Sequence, residues 1–249
     1  MAYVKTKGMV IRETITGDYD KIITVITHDY GKISVSAKGA RRSGNHFSAG
    51  TQIFCYCDWI LYKGKSTYIL NSCDIITSFY QIREDLTLLA YAAYMLDIIR
   101  DTTYENQQAN EPLTLLLHAM NALIQKGRSP ELVIRIFSLK IVQIMGYTPF
   151  ISGCCRCGTK EIENISFSFD FCGFICEKCG KESHNSIHIE TGTAKAIVYV
   201  ICAEIRQAFT FELSQDVLKN FSDVVDKYIS DRLERKYCKL SFLEEILGE

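Results

Sequence analysis

Lys32-Ile33-Ser34-Val35-Ser36-Ala37 alternates apolar and polar residues without a break. That is the period-two pattern of a strand with one wet face. Outward from it, Met9-Val10-Ile11, Ile22 to Ile26, Ile53 to Leu61 and Tyr68 to Ile76 are rich in Val, Ile, Thr, Tyr and Phe, the residues that fit a pleated, half-buried surface. Turn-forming groups separate them: Thr16-Gly17-Asp18, Asp29-Tyr30-Gly31, the Gly/Ser-bearing stretch Lys38 to Gly50, and Lys63-Gly64-Lys65. About five short strands with one longer loop are expected over residues 1–80, a pattern that fits a small barrel of the OB type. An SH3-like barrel fits nearly as well, and periodicity does not choose between them.

After Tyr80 the period changes. Leu86, Leu89, Ala90, Ala93 and Leu96 follow helical spacing. Pro112 opens a second helix running to about Lys126, and Ser129-Pro130-Glu131 supplies an N-cap, a first-position proline and a first-turn acid for a third. That helix runs to Met145 and stops at Gly146. Residues 193–209 and 215–236 read as further helices. Gln107 to Glu111 is the most polar connector and reads as an exposed loop.

Between helical regions lie Cys154-Cys155-Arg156-Cys157-Gly158 and Cys176-Glu177-Lys178-Cys179-Gly180, with eighteen residues separating Cys157 from Cys176. A Cys-x-x-Cys turn lets two thiolates reach one metal at about 2.3 Å each, and two such knuckles bridged by a hairpin make a zinc ribbon. The expected ligands are Cys154, Cys157, Cys176 and Cys179, around one structural Zn2+. Four thiolates leave no open position for catalysis. Cys155 makes a poorer knuckle with Cys157, Cys172 reads as a bystander, and His184 and His188 read as surface histidines. Ile165-Ser166-Phe167-Ser168-Phe169 alternates as a strand of the bridging hairpin. Eleven cysteines in 249 residues, several of them single within apolar runs (Cys73, Cys202), indicate reduced thiols and not a disulfide framework. With no signal-peptide pattern at Met1 to Lys5 and no apolar run of spanning length, a cytoplasmic protein is expected.

The net charge of −1 hides an asymmetry: residues 1–80 hold ten Lys/Arg against six Asp/Glu, and residues 151–249 hold twelve against sixteen. No acidic residue occurs from Tyr30 to Cys57. Lys32, Lys38, Arg41 and Arg42, with Lys63, Lys65 and Lys21, are the candidate nucleic-acid contacts, and Tyr19, Tyr30, Phe47, Tyr62 and Tyr68 are aromatics near them. Cations of this kind bind phosphate backbones by counterion release, while aromatic rings stack on bases.

The chain resembles the RecO recombination mediators of bacterial DNA repair. The likeness lies in Val10-Ile11-Arg12, Asp20-Lys21-Ile22-Ile23-Thr24, Tyr30-Gly31-Lys32-Ile33 and Ala37-Lys38-Gly39-Ala40-Arg41-Arg42. It continues through Ile82-Arg83-Glu84-Asp85-Leu86, Tyr91-Ala92-Ala93-Tyr94, Pro130-Glu131-Leu132-Val133, Arg135-Ile136-Phe137 and Gly146-Tyr147-Thr148-Pro149. It implies an α+β chain: an N-terminal OB-fold β-barrel (1–80), a helical domain (81–150 and 191–249), and a four-cysteine zinc module inserted in it (151–190). It also implies a non-enzymatic protein that binds single- and double-stranded DNA, anneals complementary strands and works with RecR. Such a protein helps RecA load onto DNA coated by single-stranded DNA-binding protein, whose acidic C-terminal tail it contacts, which places it with the nucleoid. Arg135 and Lys140 are the candidate cations for that tail. One position departs from the family: where a glycine pair often precedes the second knuckle, Cys172 stands first and Gly173 second.

Two other classes fit less well. A hydrolase or nuclease needs clustered carboxylates or a three-ligand metal, and neither is visible, nor is a Walker-type loop. A transcription or translation factor gripping RNA or polymerase needs a basic ribbon. Here Arg156, Lys160, Lys178 and Lys181 face Glu161, Glu163, Asp170, Glu177, Glu182 and Glu190.

Overall fold

The computed structural model describes residues 3–65, 67–160 and 164–235. Strands come first: β1 (Tyr3–Thr16), β2 (Asp20–Thr27), β3 (Gly31–Ala37), then the short helix α1 (Phe47–Gly50), β4 (Cys55–Lys63) and β5 (Tyr68–Ser78). Helices follow: α2 (Gln81–Glu84), α3 (Leu86–Thr102), α4 (Asn110–Leu123) and α5 (Pro130–Ile144). A small sheet holds β6 (Ser166–Ser168), β7 (Gly173–Ile175) and β8 (Ser186–His188), with α6 (Glu177–Gly180) between the last two. The helices α7 (Thr191–Cys202) and α8 (Gln215–Arg232) complete the described chain. Two compact units divide it, Met1–Met120 and Asn121–Glu249. Among the described residues no helix is long and apolar enough to cross a membrane.

The first five strands close on themselves in the order β1-β2-β3-β5-β4. β1 serves two neighbours: its first half pairs with β4 (Tyr3 to Met9) and its second with β2 (Gly8 to Thr16), a register shift lying between Val10 and Arg12. Such an irregularity bends a strand and lets it belong to both sides of a closed sheet. Closure between β3 and β5 rests on two register pairs, Val35 with Tyr68 and Ser36 with Ile69. Strict alternation fills the interior. Every odd residue of β3 is buried, and Ile33, Val35 and Ala37 join Val10, Ile23, Val25, Trp59, Leu61 and Leu70 in one apolar cluster. The Trp59 indole, fully buried, donates to the Gly8 carbonyl at 2.9 Å, which removes the penalty of a buried polar N–H.

Tyr30-Gly31-Lys32 is where the loop after α3 docks. Gly31 has φ +65° and bridges Glu105, Lys32 N–H donates to the Tyr104 carbonyl at 3.1 Å, and Asn106 N–H donates to the Tyr30 carbonyl at 3.1 Å. The Lys32 ammonium reaches the carbonyl of Arg100 in the last turn of α3. Those terminal carbonyls lack intrahelical partners and carry the negative end of the helix dipole, so a cation there satisfies both.

In the second unit α5 starts as expected: the Ser129 hydroxyl accepts from Leu132 N–H at 3.3 Å, and Pro130 opens the first turn. Apart from its first and last residues α5 is buried almost throughout and packs on α7 and α8. The expected helix 193–209 is shorter. α7 ends at Cys202 because Ala203 turns to extended backbone and the Lys140 ammonium takes the Ile201 and Ala203 carbonyls, at 3.3 and 2.6 Å. Turns fill the stretch to Phe209. α8 matches the expected 215–236 as far as Arg232, and residue 236 lies outside the described residues.

Candidate metal centre and nucleic-acid interface

Cys154, Cys157, Cys176 and Cys179 bring their sulfurs within 4.8 Å of one another and could hold one metal ion. Each knuckle closes in the same way: Gly158 N–H donates to the Cys154 carbonyl at 2.9 Å, and Gly180 N–H to the Cys176 carbonyl at 2.8 Å. Gly158 does so at φ +75°, where a side chain would be strained. The donor set suits a tetrahedral thiolate site. With metal–sulfur bonds of about 2.3 Å, the edge of such a tetrahedron is about 3.8 Å, and Cys157 Sγ lies 3.8 Å from Cys176 Sγ. Burial opposes ionisation of Cys154, but backbone N–H groups of Cys157, Cys176 and Arg156 outweigh it and hold the thiol at about 6. Cys179 of the same cluster is pushed the other way, to about 12, by desolvation and by hydrogen bonds with Cys176, Cys157 and Cys154, so Cys154 is the thiol of this pair that ionises first.

The neighbouring cysteines are engaged differently. Cys155 N–H donates to the Phe174 carbonyl at 2.8 Å, holding the first knuckle against β7. Cys172 sits at φ +55° and directs its sulfur toward the Phe169 carbonyl. Gly173 pairs with Phe150, whose carbonyl oxygen a Cβ there would approach to 2.3 Å, so the module is stitched to the chain leaving α5. Phe167 packs edge-on to Tyr228 of α8 with ring centroids 5.3 Å apart. The third strand of this sheet, β8, has too short a run of alternation to be read from sequence. Glu161 and Glu163, counted in the ribbon's acidity, lie outside the described residues.

At the barrel, Lys38, Arg41 and Arg42 are exposed on the loop that follows β3. This loop is tied to the β1–β2 turn. Gly39 N–H donates to Asp20 Oδ1 at 2.7 Å, the Arg41 guanidinium donates to the Asp18 carbonyl at 3.1 Å, and Arg42 lies over the Tyr19 ring at 5.0 Å. Two turns far apart in sequence thus form one lobe with three cations and an exposed tyrosine. Lys63 and Lys65 are exposed at the far end of β4.

Four other cations nominated from sequence serve the fold. Lys21 is buried and pairs with Glu13 at 2.9 Å, and Lys32 caps α3. Arg135 is buried and pairs with Asp226 at 2.6 Å, and burial pushes the Asp226 carboxyl up even against that guanidinium. Lys140 is buried at the end of α7. Arg135 and Lys140 therefore present no free charge at a surface. Sequence reasoning missed a pocket in the same unit. It is a hollow of about 680 Å³ between the cysteine module and α7, lined among others by Ile151, Ile165, Phe174, Val198 and Tyr199. Lys160 and Lys195 are the charged residues of its lining, and no acid is among the described residues there. It joins residues some fifty positions apart, which no local pattern announces.

Comparison with known proteins agrees across both units. The family described as Recombination protein O N terminal matches residues 1–79, and Recombination protein O C terminal matches residues 83–241. The chain is 44% identical over 246 residues to the DNA repair protein RecO of Acetivibrio thermocellus, covering 99% of this chain and 98% of that one. It is 33% identical over 246 residues to RecO of Caldicellulosiruptor bescii (99% and 100% covered) and 30% identical over 249 residues to RecO of Symbiobacterium thermophilum (99% and 98%).

Proposed function

The chain belongs to the RecO family of DNA repair proteins, and on that premise we propose that it is a non-catalytic recombination mediator. It binds single- and double-stranded DNA through an OB-type barrel and anneals complementary strands. With RecR, it helps RecA load onto DNA coated by single-stranded DNA-binding protein. The observation that carries the reading is the lobe of Lys38, Arg41, Arg42 and Tyr19 on a closed barrel, with Lys63 and Lys65 also exposed. Barrels of this kind bind oligonucleotides across the faces of their strands and between flanking loops. Lys21 and Lys32 support the barrel without touching DNA.

The four-cysteine cluster would hold zinc, which supplies cross-linking and no chemistry on substrate. Cys154, Cys157, Cys176 and Cys179 hold together three strands of three residues each, a module with little core of its own. For the acidic tail of single-stranded DNA-binding protein, the pocket beside α7 takes the place of Arg135 and Lys140, which are committed to internal partners. Its apolar walls, with Lys160 and Lys195 and no acid among the described lining residues, suit a peptide with hydrophobic side chains and carboxylates.

The test is annealing of complementary strands pre-coated with single-stranded DNA-binding protein, with and without this chain. Faster duplex formation with the chain present is expected. No acceleration, with the chain folded, overturns the reading.

A further inference from the structure

Two unlike walls meet at the pocket beside α7. One is α7 itself, which presents Lys195, Val198 and Tyr199. The body of the unit holds this wall. Ala196, Ile197, Val200 and Ile201 are buried, and the Lys140 ammonium takes the carbonyls at the helix end, that of Ala203 at 2.6 Å. The other wall is Ile151, Ser152, Gly153, Lys160, Ile165 and Phe174, and its residues interleave with the four cysteines. Gly153 directly precedes Cys154, Lys160 is three positions after Cys157, and Phe174 is two before Cys176.

The second wall has thin support of its own. Cys154 N–H donates to the Thr159 carbonyl at 2.8 Å, which brings the chain back beside Gly153 one residue before Lys160. The join from this turn to the sheet is Cys155 N–H donating to the Phe174 carbonyl at 2.8 Å, with Cys176 N–H directed at Cys154 Sγ at 3.5 Å. Arg156 reaches Glu182 and the Phe171 ring at the surface, where such contacts add little. Phe150 and the Phe167–Tyr228 ring contact anchor the strands to the rest of the unit. The turn from Ser152 to Lys160 is left to the cysteines. An ion bonded to Cys154 and Cys157 on one side, and to Cys176 and Cys179 on the other, would pin that turn to the sheet.

We propose that metal binding at the four cysteines controls this pocket. With the ion in place, the wall bearing Lys160 is set against the wall bearing Lys195, and an acidic, apolar peptide is gripped from both sides. Without it the Lys160 wall withdraws and α7 alone contacts the peptide. The proposal rests on the peptide-binding reading of the pocket above and assigns its regulation. A site that is complete in only a fraction of molecules binds with its affinity reduced by that fraction. Linkage is reciprocal, so the peptide tightens the metal by the factor by which the metal tightens the peptide.

The full chain, loaded with Zn2+ or stripped by a chelator, is titrated with a labelled synthetic tail of single-stranded DNA-binding protein, while circular dichroism follows the helices. Binding about tenfold or more weaker is expected without metal. Saturating peptide should tighten Zn2+ against a chromophoric chelator by the same factor. Lys160→Ala and Lys195→Ala distinguish a withdrawn wall from an unfolded unit. Both should weaken the peptide when metal is bound, and only Lys195→Ala should do so once it is removed. Equal peptide affinity with and without metal, or an equal Lys160→Ala effect in both states, overturns the control and leaves the peptide site standing. If stripping the metal erases the Lys195→Ala effect along with the helical signal, the ion holds the whole unit and the proposal fails. If the loaded chain does not bind the peptide, the reading of the pocket itself fails, an outcome distinct from the others.

Discussion

A Cβ placed on Gly31 would stand 2.2 Å from the carbonyl oxygen of Tyr104. That close approach joins the end of the β2–β3 turn to the loop leaving α3, so Gly31 is fixed by both its backbone angle and its neighbour. Gly31→Ala should therefore destabilise the protein by roughly 2–4 kcal/mol, the sum of a positive-φ penalty and a forced backbone shift. Urea unfolding of the two chains checks this, and a difference within about 0.5 kcal/mol would show that the loop moves aside freely.

Changing Lys38, Arg41 and Arg42 together to Ala should weaken single-strand binding and flatten its salt dependence. Each lost phosphate contact removes about 0.7 from the slope of log K against log salt, so the three remove up to about 2. Titrations at several salt concentrations give the slope directly. An unchanged slope would mean the lobe does not touch DNA.

Cys176→Ser should release the metal and lower the melting temperature, with atomic emission and calorimetry as the two measurements. DNA affinity measured below the new melting point should stay near wild type, since the barrel lies in the other compact unit. Full stability combined with lost DNA binding would refute a structural metal.

Lys140→Met should cost roughly 1–3 kcal/mol, because the Ile201 and Ala203 carbonyls lose their donor inside the protein. Burial holds the Lys140 ammonium below its ordinary 10.5. The folded state thus releases this proton before the unfolded chain does. The stability contributed by that shift is complete above 10.5 and is lost as pH falls through the lower folded value. Wild type should gain on the variant as pH rises toward 10.5 in paired urea melts, and a constant gap would contradict the burial argument.

What the sequence shows and what it hides follow from the range of the interactions. All five barrel strands are legible because alternation is local: Ile33, Val35 and Ala37 face in whatever the neighbour is. The paired Cys-x-x-Cys turns are legible for the same reason. The fate of individual cations is not. Lys38 and Lys32 look alike in sequence, and only the arrival of Arg100 beside Lys32 makes one a helix cap and leaves the other exposed. Arg135 and Lys140 mislead similarly, since their partners Asp226 and Ala203 lie 91 and 63 residues away. Helix 193–209 reads too long because nothing in Ala203 to Phe209 announces that Lys140 will claim the terminal carbonyls of α7.

The two register pairs between β3 and β5 are the least secured join in an otherwise fully laddered ring. A closed sheet with one short seam should open there first, so the amides around Val35 and Ile69 should exchange with solvent ahead of those on the longer ladders.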